Sequence, residues 1–180
     1  MERLERRSLH PHPAELPSAP FSLDVAVRSG AERLQLSFRL SGPIEQLRVP
    51  SPSAPARRDN LWQHTCFEAF LSLDGGYLEF NLSPSTQWAA YCFSGYRAGM
   101  SELEVAAPGI AVSRTDCLLE LDADLALPAG LVSRRLGLSA VIEDVSGRKS
   151  YWALVHPPGG RPDFHHADCF ALELPPASHS

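Results

Sequence analysis

Long apolar runs, clustered cysteines and blocks of positive charge are all missing from this 180-residue chain. Each absence removes a class of function. A membrane helix takes about eighteen or more consecutive apolar residues, and no stretch here approaches that length. The opening MERLERRSLHPHP is charged where a secretory signal is apolar, so a cytoplasmic protein with no membrane partner is expected. Sixteen Lys and Arg against twenty-one Asp and Glu leave a net charge of −5, with no basic run to track a phosphate backbone. A nucleic-acid partner is therefore not expected. Cys66, Cys92, Cys117 and Cys169 stand far apart without CxxC spacing, which leaves neither a structural zinc motif nor a redox pair. They are read as buried free thiols. No phosphate-cradling glycine loop is present either, because the short run GYRAGM ending at Met100 opens no helix.

Helical periodicity is scarce as well, and what fills the chain is alternation. Residues 61–73 and 77–82 alternate around Asp74-Gly75-Gly76, a hairpin whose glycines supply positive-φ turn positions, and residues 87–93 follow as a third strand. A second hairpin spans residues 21–27 and 34–40 across Ser29-Gly30. A third spans 136–145 and 149–156, with further strands at 110–112, 118–123 and 168–174. Residues 44–49, between Pro43 and Pro50, suit an edge strand or loop. Residues 124–131 are the one place for a short helical turn. About nine to eleven strands with little helix predict an all-β fold, an antiparallel β-sandwich of two sheets. The expected domain plan is an extended lead-in over 1–20, the sandwich over 21–174 and a disordered tail over 175–180. Residues 50–60, PSPSAPARRDN, predict a mobile loop beside the central stretch, with Arg57 and Arg58 either solvated or gripping an anion.

Residues 61–100 carry most of the chemistry. Strand side chains alternate between faces, so Phe67, Ala69 and Leu71 join Leu78, Phe80 and Leu82 on a core face. The opposite face then collects Trp62, His64, Cys66, Glu68 and Phe70 with Tyr77, Glu79 and Asn81. No plain core selects that mixture, so the face is expected to be a binding site for a small polar ligand. Glu68 and Glu79 share it on neighbouring strands. A glycoside hydrolase uses two carboxyls about 5 to 10 Å apart, and a hydrogen-bonded polar network is the alternative use of the pair. Arg97 is expected to fork onto one of these glutamates as a structural anchor. Trp88, Tyr91 and Tyr96 offer flat faces on which a pyranose ring packs; Trp62 and Trp88 are platform or core, and Trp152 is core. Around the loop after residue 156, His156, Asp163 and His165 either anchor the loop or approach a metal.

Three segments then align with one family. Trp62 with the Cys66-Phe67-Glu68 run, the block YLEFNLSPSTQWAAYCFSGYRAGM and the terminal YWALVHPPGGRPDFHHADCFAL resemble bacterial DOMON-like proteins, relatives of family 9 carbohydrate-binding modules. The resemblance runs from about residue 21 to the end of the last strand. It implies a β-sandwich with one concave sheet that holds a ligand, a carbohydrate by the main reading. Among wider relatives the ligand is a sugar or a haem, and the family 9 modules also bind calcium. No firm cofactor is expected here: the chain lacks a dense Asp/Asn loop for calcium, and only Met100 with His64, His156 or His165 imitates an axial haem pair.

Overall fold

The computed structural model describes residues 3–30, 32–131 and 135–174. The expected tail at 175–180 lies outside the described residues. Twelve strands are present among them: β1 (Arg3–Pro11), β2 (Ser22–Ser29), β3 (Arg33–Ser41), β4 (Cys66–Leu73), β5 (Gly76–Leu82) and β6 (Trp88–Phe93), followed by β7 (Ser101–Glu102), β8 (Gly109–Arg114), β9 (Leu118–Ala126), β10 (Arg135–Glu143), β11 (Lys149–Ala153) and β12 (Leu172–Glu173). Among the described residues helix is confined to three single 3-10 turns, Ile44–Gln46, Leu61–Gln63 and Ala167–Cys169. Every strand pairing is antiparallel, in the order β7-β6-β5-β4-β10-β11-β1-β2-β3-β9-β8, with β12 added to β10.

That order is continuous because of β1. Its residues Arg3 to Leu9 pair with β2, while His10 and Pro11 pair with Ala153 and Trp152 of β11. The lead-in expected at 1–20 is thus, from residue 3 to 11, an integral strand; its prolines at 11 and 13 sit at and beyond the strand end, where a missing N–H costs least. The two sheets expected from sequence are joined by this strand into one strongly curled sheet.

Period-two patterning explains how the curled sheet closes on itself. Leu23, Val25 and Val27 of β2 face inward with Leu34, Leu36, Phe38 and Leu40 of β3 and the odd-numbered residues Leu119 to Leu125 of β9. They meet Phe67, Ala69 and Leu71 of β4, Leu78, Phe80 and Leu82 of β5, and Leu136, Leu138 and Ala140 of β10 in a single apolar core. Phe38 and Phe67, from the two halves, lie 4.9 Å apart between ring centroids. The hairpin at Asp74 behaves as its composition dictates. Gly75 takes φ +86, whereas Gly76 is required for space, since a Cβ there would run into the Phe93 carbonyl.

Other local expectations change. Residues 61–65 are a 3-10 turn and a bend instead of strand, so β4 begins at Cys66. Residues 124–126 continue β9 where a helical turn was expected, residues 44–46 form a 3-10 turn where an edge strand or loop was, and residues 168–171 are the end of a 3-10 turn and irregular chain before the two-residue β12. Loop 50–60 is tied along β6: Trp88 N donates to Ala56 O at 3.0 Å and Arg58 N to Trp88 O at 2.8 Å. Cys117 is exposed and Cys92 half-buried, so only Cys66 and Cys169 are the buried thiols expected of all four.

Candidate functional site

The second face of β4, β5, β6 and β10 is not covered by the other half of the sheet. There Phe70, Tyr77, Ala89, Tyr91, Phe93 and Val141 form a separate apolar cluster with Phe164 and Phe170 from the last loop. A cleft of about 900 Å³ opens over this face. Glu68 and Glu79 form part of its floor, only 3% and 6% exposed, with Tyr91, Phe93, Val141 and Tyr151 beside them. Trp62 stands at its edge, half exposed, together with Asp59, Asn60, Arg97, Met100, Glu102 and His165.

Strand register explains why two acids meet on one floor. Glu68 lies opposite Asn81 and Ser139, and Glu79 opposite Phe70 and Tyr91, so the glutamates are diagonal neighbours on one face. Ser139 Oγ donates to Glu68 Oε2 at 2.9 Å, and Asn81 Nδ2 donates to Glu79 Oε1 at 2.9 Å. Burial raises both carboxyls far above the ordinary glutamate range, and the negative charge of Glu79 pushes Glu68 higher still. Burial also raises the Cys66 thiol on the same face. The pair therefore retains protons at pH values where exposed glutamates are ionised.

Loops from distant parts of the chain close the rim. His165 Nδ1 and the Tyr77 hydroxyl are 2.6 Å apart, and His165 Nε2 lies 3.9 Å from Glu79 Oε2. Burial and the nearby Arg97 charge depress His165 to about 4, so its ring is neutral at pH 7. Arg97, at φ +52, donates its backbone N–H to the Tyr77 hydroxyl at 3.3 Å and its guanidinium to Asp163 at 2.9 Å. Tyr96 donates to the other Asp163 oxygen at 2.5 Å, and these donors hold Asp163 below its usual range in spite of burial. Across the cleft Tyr91 donates to Asp59 at 2.5 Å; burial and that carboxylate raise the Tyr91 phenol strongly.

The eleven residues expected at a site divide into three groups. Trp62, Glu68, Glu79, Arg97 and His165 line the cleft. Tyr77, Asn81 and Asp163 stand directly behind, each hydrogen-bonded to a lining residue. His64, Trp88 and His156 lie elsewhere. With residue 64 outside β4, His64 does not line the cleft and approaches Glu143 at 2.8 Å. Trp88 has the parity of Ala90 and points into the main core, 6% exposed, with the Arg57 guanidinium 4.4 Å over its ring. His156 Nε2 donates to His10 O at 2.8 Å.

Two further expectations are corrected. Arg97 forks onto neither glutamate, because its turn directs the guanidinium outward to Asp163. Arg57 is half-buried and not free for an anion, since it donates to the carbonyls of Ala90 and Leu103 at 3.0 and 2.7 Å, whereas Arg58 is exposed. The alternation of β6 already pointed to Phe93 as a lining residue beside Tyr91. Asp59 and Phe164, on loops, and Glu102, on the two-residue β7, carried no local signal. Among the described residues no three His, Cys, Asp or Glu side chains are grouped to hold a metal ion.

No protein-family model matches the chain, and no curated protein matches it. Solved structures do. A family 9 carbohydrate-binding module from Caldicellulosiruptor kristjanssonii, in complex with cellotriose, superposes with a TM-score of 0.54 at 10% identity, covering 87% of this chain and 75% of that one. A Bacteroides uniformis protein named provisionally as carbohydrate-binding superposes with a TM-score of 0.62 at 14% identity, covering 93% and 84%. At such identities the likeness establishes a shared fold.

Proposed function

We propose that the chain is a non-catalytic carbohydrate-binding module, DOMON-like and related to family 9, that holds a small polar glycan in the cleft above β4, β5 and β6. The observation that carries this reading is the cleft itself: an exposed indole, Trp62, at the edge of a floor of buried carboxyls and aromatic rings. A pyranose presents C–H bonds to an aromatic face and hydroxyls to carboxyl groups, and a site with a few convergent polar groups in an apolar cleft suits both needs. The two fold neighbours support it. We also read the curled sheet as the expected β-sandwich, on the approach of Phe38 to Phe67 across the core.

A glycoside hydrolase in the same cleft needs one carboxyl protonated and its partner ionised. Here both carboxyls are buried in the floor, each already taking a neutral donor, Ser139 or Asn81, and no cation pairs with either among the described residues, which favours holding a ligand over splitting one. Haem would find Met100 and His165 on the cleft wall, but a b-type haem takes an apolar slot and this floor carries two carboxyls; the residues do not fit the group. Calcium takes about six to eight oxygen ligands, and the described acids are not clustered to supply them.

Trp62 makes the test direct, because Trp88 and Trp152 are both in the core. Titration with soluble oligosaccharides is expected to change tryptophan emission. Trp62→Ala should abolish that change and weaken binding at least tenfold, while stability stays within about 0.5 kcal/mol, as for other exposed positions. Unchanged binding in Trp62→Ala, or no glycan bound across an array, defeats the reading.

A further inference from the structure

The cleft floor lacks something that buried carboxyls ordinarily have. Paired cations normally accompany ionisable groups removed from water, and Glu68 and Glu79 have none among the described residues. Every basic side chain nearby is committed. Arg97 is held by Asp163, Arg57 by the Ala90 and Leu103 carbonyls and the Trp88 ring, and His165 is neutral with Nε2 still 3.9 Å from Glu79. Glu79 is nine-tenths buried and lines the cleft, and its Oε2 accepts no hydrogen bond among the described residues. Beside it the amide oxygen of Asn81, fully buried, is also without a partner.

The remaining ionisable groups around the pair are acids, phenols and one thiol. Asp59 comes from the loop before β4 and Glu102 from β7, both on the cleft wall. Cys66 lies on β4 itself, and Tyr77, Tyr91 and Tyr151 face the pair from β5, β6 and β11. Asp163 is already neutralised by Arg97. The Arg97 charge reaches Glu79 only from a distance, its guanidinium being paired with Asp163, and no basic group among the described residues pairs directly with either glutamate. Five aromatic side chains, Trp62, Tyr91, Phe93, Tyr151 and Phe164, make up most of the apolar lining of the cleft. Aromatic faces attract a desolvated ammonium through their quadrupoles, and carboxylates supply its counter-charge.

We infer that the ligand of this cleft carries an ammonium group, an amino sugar in place of a neutral glycan, with the cation bound by Glu68 and Glu79 against the aromatic wall. The inference rests on the carbohydrate reading above and narrows its substrate class. Without ligand, burial leaves the pair holding a proton near pH 7 that exposed glutamates have lost. An arriving ammonium substitutes for such a proton: the protonated carboxyl and the cation become a carboxylate–ammonium pair, and the proton leaves to solvent. A neutral sugar has no means of displacing it.

The experiment is calorimetric titration of the full chain near pH 7, where an amine of ordinary pKa about 8 is cationic. Three probes are compared: the free-amine disaccharide of glucosamine, its N-acetylated counterpart and cellobiose. Acetylation removes the charge and leaves the rings unchanged. The free amine is expected to bind roughly tenfold to a hundredfold more tightly than either neutral probe, the range of one charge-assisted contact in a partly dry site. Repeating the titration in buffers of different ionisation enthalpy should show close to one proton released per free amine bound, as linkage requires, and none for cellobiose. Glu79→Gln and Glu68→Gln mimic the protonated carboxyl in shape, so each should fold with an unchanged circular dichroism spectrum and lose the preference for the amine. Cellobiose binding as tightly as the amine without proton release overturns the inference and leaves the carbohydrate reading standing. Binding of none of the three defeats both.

Discussion

At the scale of single residues, the buried glutamates make stability depend on pH in a direction opposite to that of surface carboxylates. Folding raises Glu68 to about 8 and Glu79 to about 7, chiefly by burial, and the two titrate as a unit. The folded state therefore binds more protons than the unfolded chain, so their contribution is complete below the ordinary glutamate range and is lost as pH rises through 7 to 8. His165 acts oppositely, because its depressed value gives stability that is lost as pH falls from 6.5 toward 4. Between about pH 6.5 and 8 that histidine has finished titrating, and stability is expected to fall by on the order of 1 to 2 kcal/mol. Thermal melts across this window check it, and Glu68→Gln should flatten the decline. Arg97 supplies a second case. Its guanidinium is half exposed and paired with Asp163, so a double-mutant cycle between them should give a coupling of about 0.2 to 1 kcal/mol. Coupling to Glu68 in the same cycle should be near zero; a larger value there would restore the fork onto the floor.

At the scale of elements, each strand that frames the cleft depends on its neighbours for a specific register. The β4–β5 hairpin is set by Gly75 in a left-handed conformation and by Gly76 pressed against the Phe93 carbonyl of β6. Since that neighbour is backbone in a paired strand, it cannot move aside without loss of ladder bonds. Gly76→Ala is expected to cost about 2 kcal/mol or more by overpacking, measured by chemical denaturation, whereas an open position such as Gly160→Ala should cost well under about 1 kcal/mol. Loop 50–60 behaves as part of this frame too. Its backbone bonds to β6 and the Arg57 contacts place Asp59 over Tyr91, so a segment whose composition signals mobility is in fact a wall of the cleft.

At the scale of the whole molecule, β1 is the strand that makes the two halves of the sheet continuous. Deleting residues 1–11 would open the edges of β2 and β11 at once, and unpaired edges template association. The truncated chain is expected to lose its cooperative melt and to elute as aggregate on size exclusion; a monomer with a native-like melt would refute that role. Much of the architecture was legible in the sequence, because side-chain direction along a strand is a local, period-two property. Alternation alone placed Phe67, Ala69 and Leu71 inward, set Glu68 and Glu79 on one opposite face with Tyr77 and Asn81, and located the turn at Gly75. It failed where a residue left its strand: Trp62 falls in a 3-10 turn and His64 in the bend after it. Of the two uses open to Trp88, the parity of β6 selects the core. The N-terminal strand was hidden by its charges and prolines, since only pairing with β2 and β11 gives those residues a partner. What tertiary structure alone decided is the rim of the cleft. Arg97 meets Asp163 across 66 residues and Tyr77 meets His165 across 88, contacts between loops that no local spacing encodes. By drawing Arg97 away to Asp163, that long-range pairing also leaves the glutamates without a cation, because a guanidinium held in one fork cannot fill another.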